Sequence, residues 1–271
     1  MSKEFTKEDV IQNKKEAIRK LNKMLELFIN DPSNKRLKKA NLISYWIKSF
    51  SEYVKWEDNF SSSKLIRYSR GDIIRANFGF NIGKEFGGLH FAVVIDNDNK
   101  RNADVVTVIP LSSTDGKKVH DRSVDLGKEL FEKINAKQRI LLENAAEELL
   151  ELQKMSESLN SALEIIRMMN ADSIKSNPEI SDKQLKAEEN YKQVIQKQEH
   201  LKQDVCNLQR NQTEISRLKQ GSMALTNQIT TISKQRIYTP KKSEDFLYGI
   251  SLSEPAMDKI NSKLKELFIF H

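Results

Sequence analysis

One cysteine, Cys206, stands among 271 residues. A single thiol excludes a disulfide within the chain and gives a cysteine-based metal site nothing to start from. It falls inside a predicted helix, where it reads as a small hydrophobe. No apolar run reaches the roughly 20 residues that a membrane-spanning helix needs. The opening Met1-Ser2-Lys3-Glu4-Phe5 lacks the apolar stretch of a signal peptide. These absences predict a cytoplasmic protein that makes no use of a membrane.

Glycine is scarce and confined. Seven of the nine glycines lie between Gly71 and Gly127, and the other two are Gly221 and Gly249. Glycine marks tight turns and close backbone approaches, and long helices avoid it. The chain therefore reads as helical over 1–63, turn-rich over 64–127, helical over 128–220 and mixed over 221–271. Charge is as uneven. Residues 1–69 carry 15 Lys and Arg against 9 Asp and Glu, the largest share of a net charge of +7. Attraction to a polyanion would come from that N-terminal segment, although a basic helix face is also a common solvated surface.

In the first segment Thr6 is placed to cap a helix running to about Asn30, which Asp31-Pro32-Ser33 breaks. A second helix follows to about Glu57, with Leu42, Trp46, Ile47, Phe50 and Val54 on one face. Strand signals come next: Asp72 to Phe78, His90 to Asp96 and Val105 to Leu111. Between the first two lies a long glycine-rich connection, residues 79–88, of the kind that carries function when it joins tight strands.

From Lys128 to Gln220 there is no glycine, and Pro178 is the only proline. Ala145, Leu149, Leu152, Leu159, Leu163 and Ile166 follow alternating three- and four-residue steps, with Ser156 filling one seam position. Val194, Leu201, Val205, Leu208 and Ile215 repeat the pattern on a return arm interrupted by Gln198 and Gln212, and residues 171–182 are the predicted turn. Each arm of about 40 residues spans on the order of 60 Å at the helical rise. Equal arms around one turn imply an antiparallel coiled-coil hairpin, leaving a β-domain after its third strand and returning before Met223. Met223 to Ile232 is β-favourable, and Ser253 with Pro255 opens a closing helix.

Four stretches then resemble the MazF/PemK-like toxins. They are Arg70-Gly71-Asp72-Ile73-Ile74; residues 83–95, where the family shows G-x-E-x-G-G-x-R-P-x-V-V-I; Val108-Ile109-Pro110-Leu111-Ser112-Ser113, where a strand ends in P-[IL]-[TS]-[ST]; and residues 227–237, close to D-Q-I-R-T-I-x-K-x-R-[IL]. The closing helix from Ser253 matches as well. The resemblance implies an α+β chain built on a small SH3-like β-barrel, homodimeric, interrupted by the coiled-coil hairpin and preceded by a helical hairpin. It implies a metal-independent endoribonuclease, needing no cofactor, that cuts single-stranded RNA such as mRNA as the toxin of a toxin–antitoxin pair. In that chemistry the 2′-hydroxyl attacks the adjacent phosphate, leaving a 2′,3′-cyclic phosphate. A base, an acid and charge-stabilising donors are required.

The residues that the resemblance brings forward are His90 and Ser112, at the family's arginine and threonine or serine positions, with Glu85 as a second acid/base or as the anchor of its loop. Lys84, Gly87, Gly88, Asn227 and Arg236 are the implied RNA contacts. Two of these depart from the pattern. An imidazole can act as base or acid near neutrality but clamps phosphate less firmly than a guanidinium. Asn227, where aspartate is common, is no general base. Arg236 serves either a phosphate or a surface ion pair. The departures leave a second expectation open: a weakened barrel that binds or scaffolds through its coiled coil. His120, His200 and His271 show no partner spacing and read as solvated, and there is no zinc pattern, phosphate-binding loop or Ser-His-Asp arrangement.

Overall fold

The computed structural model describes residues 5–114, 116, 118–168, 178–216 and 219–269. The chain divides into two compact units, Met1–Pro110 with Gln228–Asp245 and Leu111–Asn227 with Phe246–His271. The class is mixed helix and antiparallel sheet, α+β, and no described helix is long and apolar enough to cross a membrane.

The first unit begins with α1 (Lys7–Ile29) and α2 (Leu37–Trp56). Thr6 caps α1 as predicted: its hydroxyl accepts from the Asp9 N–H, and the Asp9 carboxylate accepts from the Thr6 N–H. No residue of α1 is buried, whereas α2 buries Ala40 and Ile43. The packed face of α2 is rotated from the one expected, since Leu42, Phe50 and Val54 are exposed while Trp46 and Ile47 are half-buried.

The unit's sheet holds β1 (Ile73–Asn77), β2 (Leu89–Val94), the first part of β3 (Val105–Ser113), β6 (Thr230–Ser233) and β7 (Ile237–Thr239). All pairs are antiparallel, in the order β7-β1-β2-β3, with β6 on the other side of β3. Alternation puts Ile74, Ala76, Ala92, Val94, Val106, Val108, Ile232 and Ile237 into one core with Leu65, Tyr68 and Phe78. Fully burying a side chain of the Val or Ile kind contributes ~1.5–3 kcal/mol, so this face alone fixes the strand register.

One cation is buried there. Lys234 is fully enclosed, and its ammonium donates to the carbonyls of Lys100 at 2.9 Å and Arg101 at 3.4 Å. It also lies 5.6 Å from the centre of the Tyr68 ring. Desolvation pulls its pKa down, opposed by the charges of Asp104 and Asp96.

The second unit contains the end of β3, β4 (Val124–Gly127) and β5 (Ser222–Ala224), in the order β3-β5-β4. With it go α3 (Glu129–Met168), α4 (Pro178–Ser216) and α5 (Glu254–Phe268). Ser253 caps α5, its hydroxyl accepting from the Ala256 N–H, with Pro255 in the first turn. The Glu129 carboxylate accepts from both the N–H and the hydroxyl of Ser253 and pairs with Lys133 at 3.0 Å. That ties the start of α3 to the start of α5.

Three expectations need correction. The sheet is not a closed barrel: β4 and β7 are its ends, each with a single partner strand. Both stop early, β7 at Pro240, which has no N–H to offer, and β4 at Gly127, whose positive φ of 57° turns the chain into α3. The hairpin leaves after a fourth strand, and β4 pairs with β5, so the pairing itself brings the two ends of the hairpin together. The stretch Met223 to Ile232, expected to be β-favourable, is not strand throughout: a 3₁₀ turn at Thr226–Gln228 separates β5 from β6, and there the Thr226 hydroxyl donates to the Arg122 carbonyl at 2.6 Å.

Helices α3 and α4 pack along each other with falling numbers on one matching rising numbers on the other. Gln138 donates to the Leu208 carbonyl at 3.4 Å, and Lys197 pairs with Glu151 at 2.7 Å. The buried row runs Leu152 and Leu159 against Ala187, Val194, Leu201 and Leu208, at seven-residue spacing, while Leu149 and Val205 are largely exposed. Pro178 begins α4, so residues 178–182 are helical, and the rest of the predicted turn lies outside the described residues, as do the side chains of Leu163 and Ile166.

The root of the hairpin differs from its arms. Leu130 and Ile134 are 3% and 1% exposed, and Lys133 donates to the Ser251 carbonyl at 2.6 Å. Replacing residues 142–204 by a short Gly/Ser linker should therefore leave a folded protein with a cooperative thermal transition. The longer excision of 132–218 removes Ile134 and should lose that transition, as far-UV circular dichroism would show. For Lys234, substitution by Met keeps the volume but strands two carbonyls, and is expected to lower unfolding free energy in urea by about 1–3 kcal/mol.

Candidate active site around His90

The connection between β1 and β2 is not a loose loop. The Phe78 N–H donates to the Gly88 carbonyl at 2.8 Å, and the Gly88 N–H to the Gly79 carbonyl at 2.7 Å. These two bonds carry the β1–β2 ladder past the strands and close the neck of the loop. The close approach explains two glycines. A Cβ on Gly87 would lie 2.7 Å from the Gly79 carbonyl oxygen, and one on Gly79, at φ +83°, would lie 2.8 Å from the Trp46 ring. Asn81 spans the interior, its amide donating to the carbonyls of Phe78 and Phe86 at 3.2 and 2.6 Å.

The tip beyond the neck is exposed, Ile82 most of all. Glu85 accepts from the Ile82 N–H at 3.3 Å, so its carboxylate is engaged with its own turn. Lys84 is exposed, and its carbonyl accepts from Gln228 at 3.5 Å, while the Gln228 side-chain oxygen accepts from the Phe86 N–H at 3.2 Å. Gln228 thus joins the stretch that resembles the fourth family motif to the loop of the second. It was absent from the expected site residues, although its place beside Asn227 in that motif was the signal for it.

His90 is the second residue of β2, opposite Ala76 of β1. Strand alternation therefore sends its side chain to the face that holds Ala76, Ala92 and Val94, at the margin of the core. There the imidazole packs on Phe86 with ring centres 4.6 Å apart, and Phe86 meets Phe78 edge-on at 5.4 Å. Burial lowers the His90 pKa from its usual value, the positive charge of Arg75 lowers it further, and a hydrogen bond with the Gly87 backbone opposes both. At neutral pH the ring is uncharged, which suits a base.

Arg75 also escaped the sequence reading. It sits opposite Phe91, on the other face of the ladder, with its guanidinium 5.9 Å from the Phe91 ring centre and 5.5 Å from that of Tyr238. Its signal was its register, which only the paired strands reveal.

The remaining expected residues fall in both units. Ser112 is in the second unit, paired with Met223 on β5 and half-buried, and Asn227 is in the same unit and exposed. Gly87 and Gly88 are half-buried beside His90. Arg236 is half-buried and engaged: its Nε donates to the Asn77 carbonyl at 2.8 Å, and its guanidinium lies 5.3 Å from the Trp46 ring centre. The nearby Gln235 amide donates to the Tyr53 carbonyl at 2.9 Å, and Asn77 donates to the Tyr53 hydroxyl at 3.2 Å. Helix α2 is thereby stitched to β1 and to the turn before β7.

Residues 69–155 match the family model of the PemK-like, MazF-like toxins of type II toxin-antitoxin systems. This matched segment is similar to that toxin family. It takes in β1, the glycine loop, β2, β3 and β4 and runs into α3, so His90, Ser112, Glu85, Lys84, Gly87 and Gly88 all fall inside it. Asn227 and Arg236 lie beyond it, and the match spans less than half of the chain. No curated protein matches this chain.

Trp46 under Gly79 makes the loop's shape depend on a helix outside the toxin-family segment. Gly79→Ala combines a strained φ with an overlap on that ring and should cost about 2 kcal/mol or more. The check is a fall in thermal midpoint together with a changed tryptophan emission, the fall being larger than in Gly116→Ala, where φ is also positive (+73°) but the added Cβ meets open space.

Proposed function

We propose that the chain is a metal-independent endoribonuclease toxin of a toxin–antitoxin system, acting on single-stranded RNA. The observation that carries this reading is the neutral, half-buried His90 at the neck of the glycine loop, within the segment that matches the toxin family. Its imidazole takes the proton of a ribose 2′-hydroxyl. The oxygen so freed attacks the adjacent phosphorus, the bond to the 5′-oxygen breaks, and a 2′,3′-cyclic phosphate is left. The returning proton goes to that 5′-oxygen. Gly87 and Gly88 let a sugar–phosphate backbone approach because no Cβ stands in the way, and Lys84 at the exposed tip adds positive charge. Ser112 is the second residue named by the family resemblance, and Ser112→Ala, read on cleavage alone, tests its share. A cognate antitoxin and a homodimer complete the proposal.

One finding favours the alternative of a weakened domain that binds or scaffolds. Arg236 is committed to Trp46 and the Asn77 carbonyl, and Glu85 to its own turn, so one candidate phosphate contact and one candidate acid/base are already engaged. RNA cleavage decides between the two readings. Cutting that persists in EDTA and leaves cyclic-phosphate ends supports the enzyme. A binding-only domain gives retarded RNA without new ends.

The pH profile has a definite sign. A base must be unprotonated, so the rate should be flat near neutrality and fall as pH drops through the His90 pKa. Because burial and Arg75 lower that pKa, the acid limb should lie below the ordinary histidine value of about 6.5. A rate that falls as pH rises through this range would make His90 the acid instead. His90→Ala should cost on the order of 10²–10⁴ in rate.

A further inference from the structure

The arms of the α3–α4 hairpin carry a cluster that the toxin chemistry does not use. Glu148 on α3 and His200 and Asp204 on α4 each offer one ligand atom, and the three atoms lie within 4.8 Å of one another. His200 and Asp204 are one helical turn apart, with Nδ1 3.1 Å from a carboxylate oxygen. Histidine 200 was read from sequence as solvated and without a partner. The helix supplies Asp204 and the fold supplies Glu148.

Position separates this cluster from an ordinary group of surface acids. Its members come from both arms and converge across the line where the helices meet. The inter-arm ion pair Glu151–Lys197 lies one turn away in the same row, which fixes the register of the facing side chains. An imidazole nitrogen with two carboxylate oxygens is a set that suits zinc and its neighbours in the first transition row. Magnesium and calcium prefer oxygen alone. Around zinc, with bonds of roughly 2.0–2.2 Å, tetrahedral ligand atoms stand roughly 3.3–3.5 Å apart. Glu148 and His200 are exposed and Asp204 is half-buried, so rotation of their side chains can close the remaining distance while water completes the shell.

The hairpin also has a physical use for such a clasp. Its described seam buries a single apolar row per arm, at seven-residue spacing, and the row opens with Gln138, whose side-chain oxygen has no partner. Polar seam positions lower the stability of paired helices. A metal bridging the arms binds only when both are helical and in register, and so stabilises that state by linkage.

We propose that Glu148, His200 and Asp204 form a divalent transition-metal site that clasps the two arms of the hairpin. The site is separate from RNA cleavage and stands whether or not the chain is a nuclease.

The test is titration of Zn²⁺, and of Co²⁺ as its spectroscopic substitute, into the untagged full chain in a non-chelating buffer. One equivalent should bind, visible-region Co²⁺ bands should report a nitrogen and oxygen shell, and the thermal midpoint of helix loss should rise and return on adding EDTA. Losing even a supporting neighbour of a metal ligand typically weakens affinity about 10–100-fold, so His200→Ala and Glu148→Gln should each lose at least about tenfold. His120→Ala should bind as wild type does. All of these positions are exposed, and far-UV spectra of the metal-free variants should overlay that of the wild type. Undiminished binding in His200→Ala, or a wild-type chain that takes up no metal, overturns the proposal.

Discussion

Two hydrogen bonds at the neck of the β1–β2 loop, Phe78 to Gly88 and Gly88 to Gly79, hold the rest of the candidate site in place. They decide that Phe86 folds back over Phe78, and Phe86 is the wall on which the His90 ring lies. They also decide that Gly79 meets Trp46 and not solvent. Through Trp46 the loop is coupled to α2, and through Gln228 to the turn that precedes β6. Of the two basic N-terminal helices, α2 therefore has a packing role in the first unit. A contribution of their charge to RNA affinity would be additional to that role.

The electrostatics of His90 follow from the same geometry. An arginine at this strand position would keep its charge and grip phosphate, but would be a poor base. The imidazole gives up the grip, and burial against Phe86 keeps it uncharged. Arg75 acts in the same direction from the opposite face, since a positive charge nearby disfavours a second one. In the proposed reaction, histidine in place of arginine shifts the position from clamp toward base. That reaction needs its clamp from elsewhere, and Arg236 is engaged with Trp46 and a carbonyl.

What could be read from the sequence divides along physical lines. Strands β1, β2 and β3 were legible because β-branched runs between turn signals have few other ways to fold. The caps Thr6 and Ser253 were legible because they act locally. Strand β4 was missed because Val124-Asp125-Leu126-Gly127 is only four residues long and owes its existence to β5, nearly 100 residues further on. The break between β5 and β6 was missed although Asn227, a poor strand former, lies in it; the turn there depends on Thr226 reaching Arg122. The motif drew attention to His90 as a residue, but its surroundings depend on register and on Phe86. Neither Arg75 nor the meeting of Glu148 with His200 follows from spacing along one helix.

The hairpin shows how far periodicity carries an argument. Three- and four-residue steps located both arms, and equal arms around one turn implied their antiparallel pairing, yet neither could tell root from arm. At the root Leu130 and Ile134 are buried, Lys133 donates to the Ser251 carbonyl, and Glu129 holds the cap of α5. These turns belong to the core of the second unit, consistent with the toxin-family match continuing past β4 into α3. Further out, each arm contributes about one buried apolar residue per seven, and burying a Leu is worth ~1.5–3 kcal/mol. The outer arms are therefore held by a thin apolar seam, to which one additional bridge across them would add. Root and arms are one continuous helix pair in which apolar burial thins from the root to the outer arms, and the arms are where the proposed metal would act.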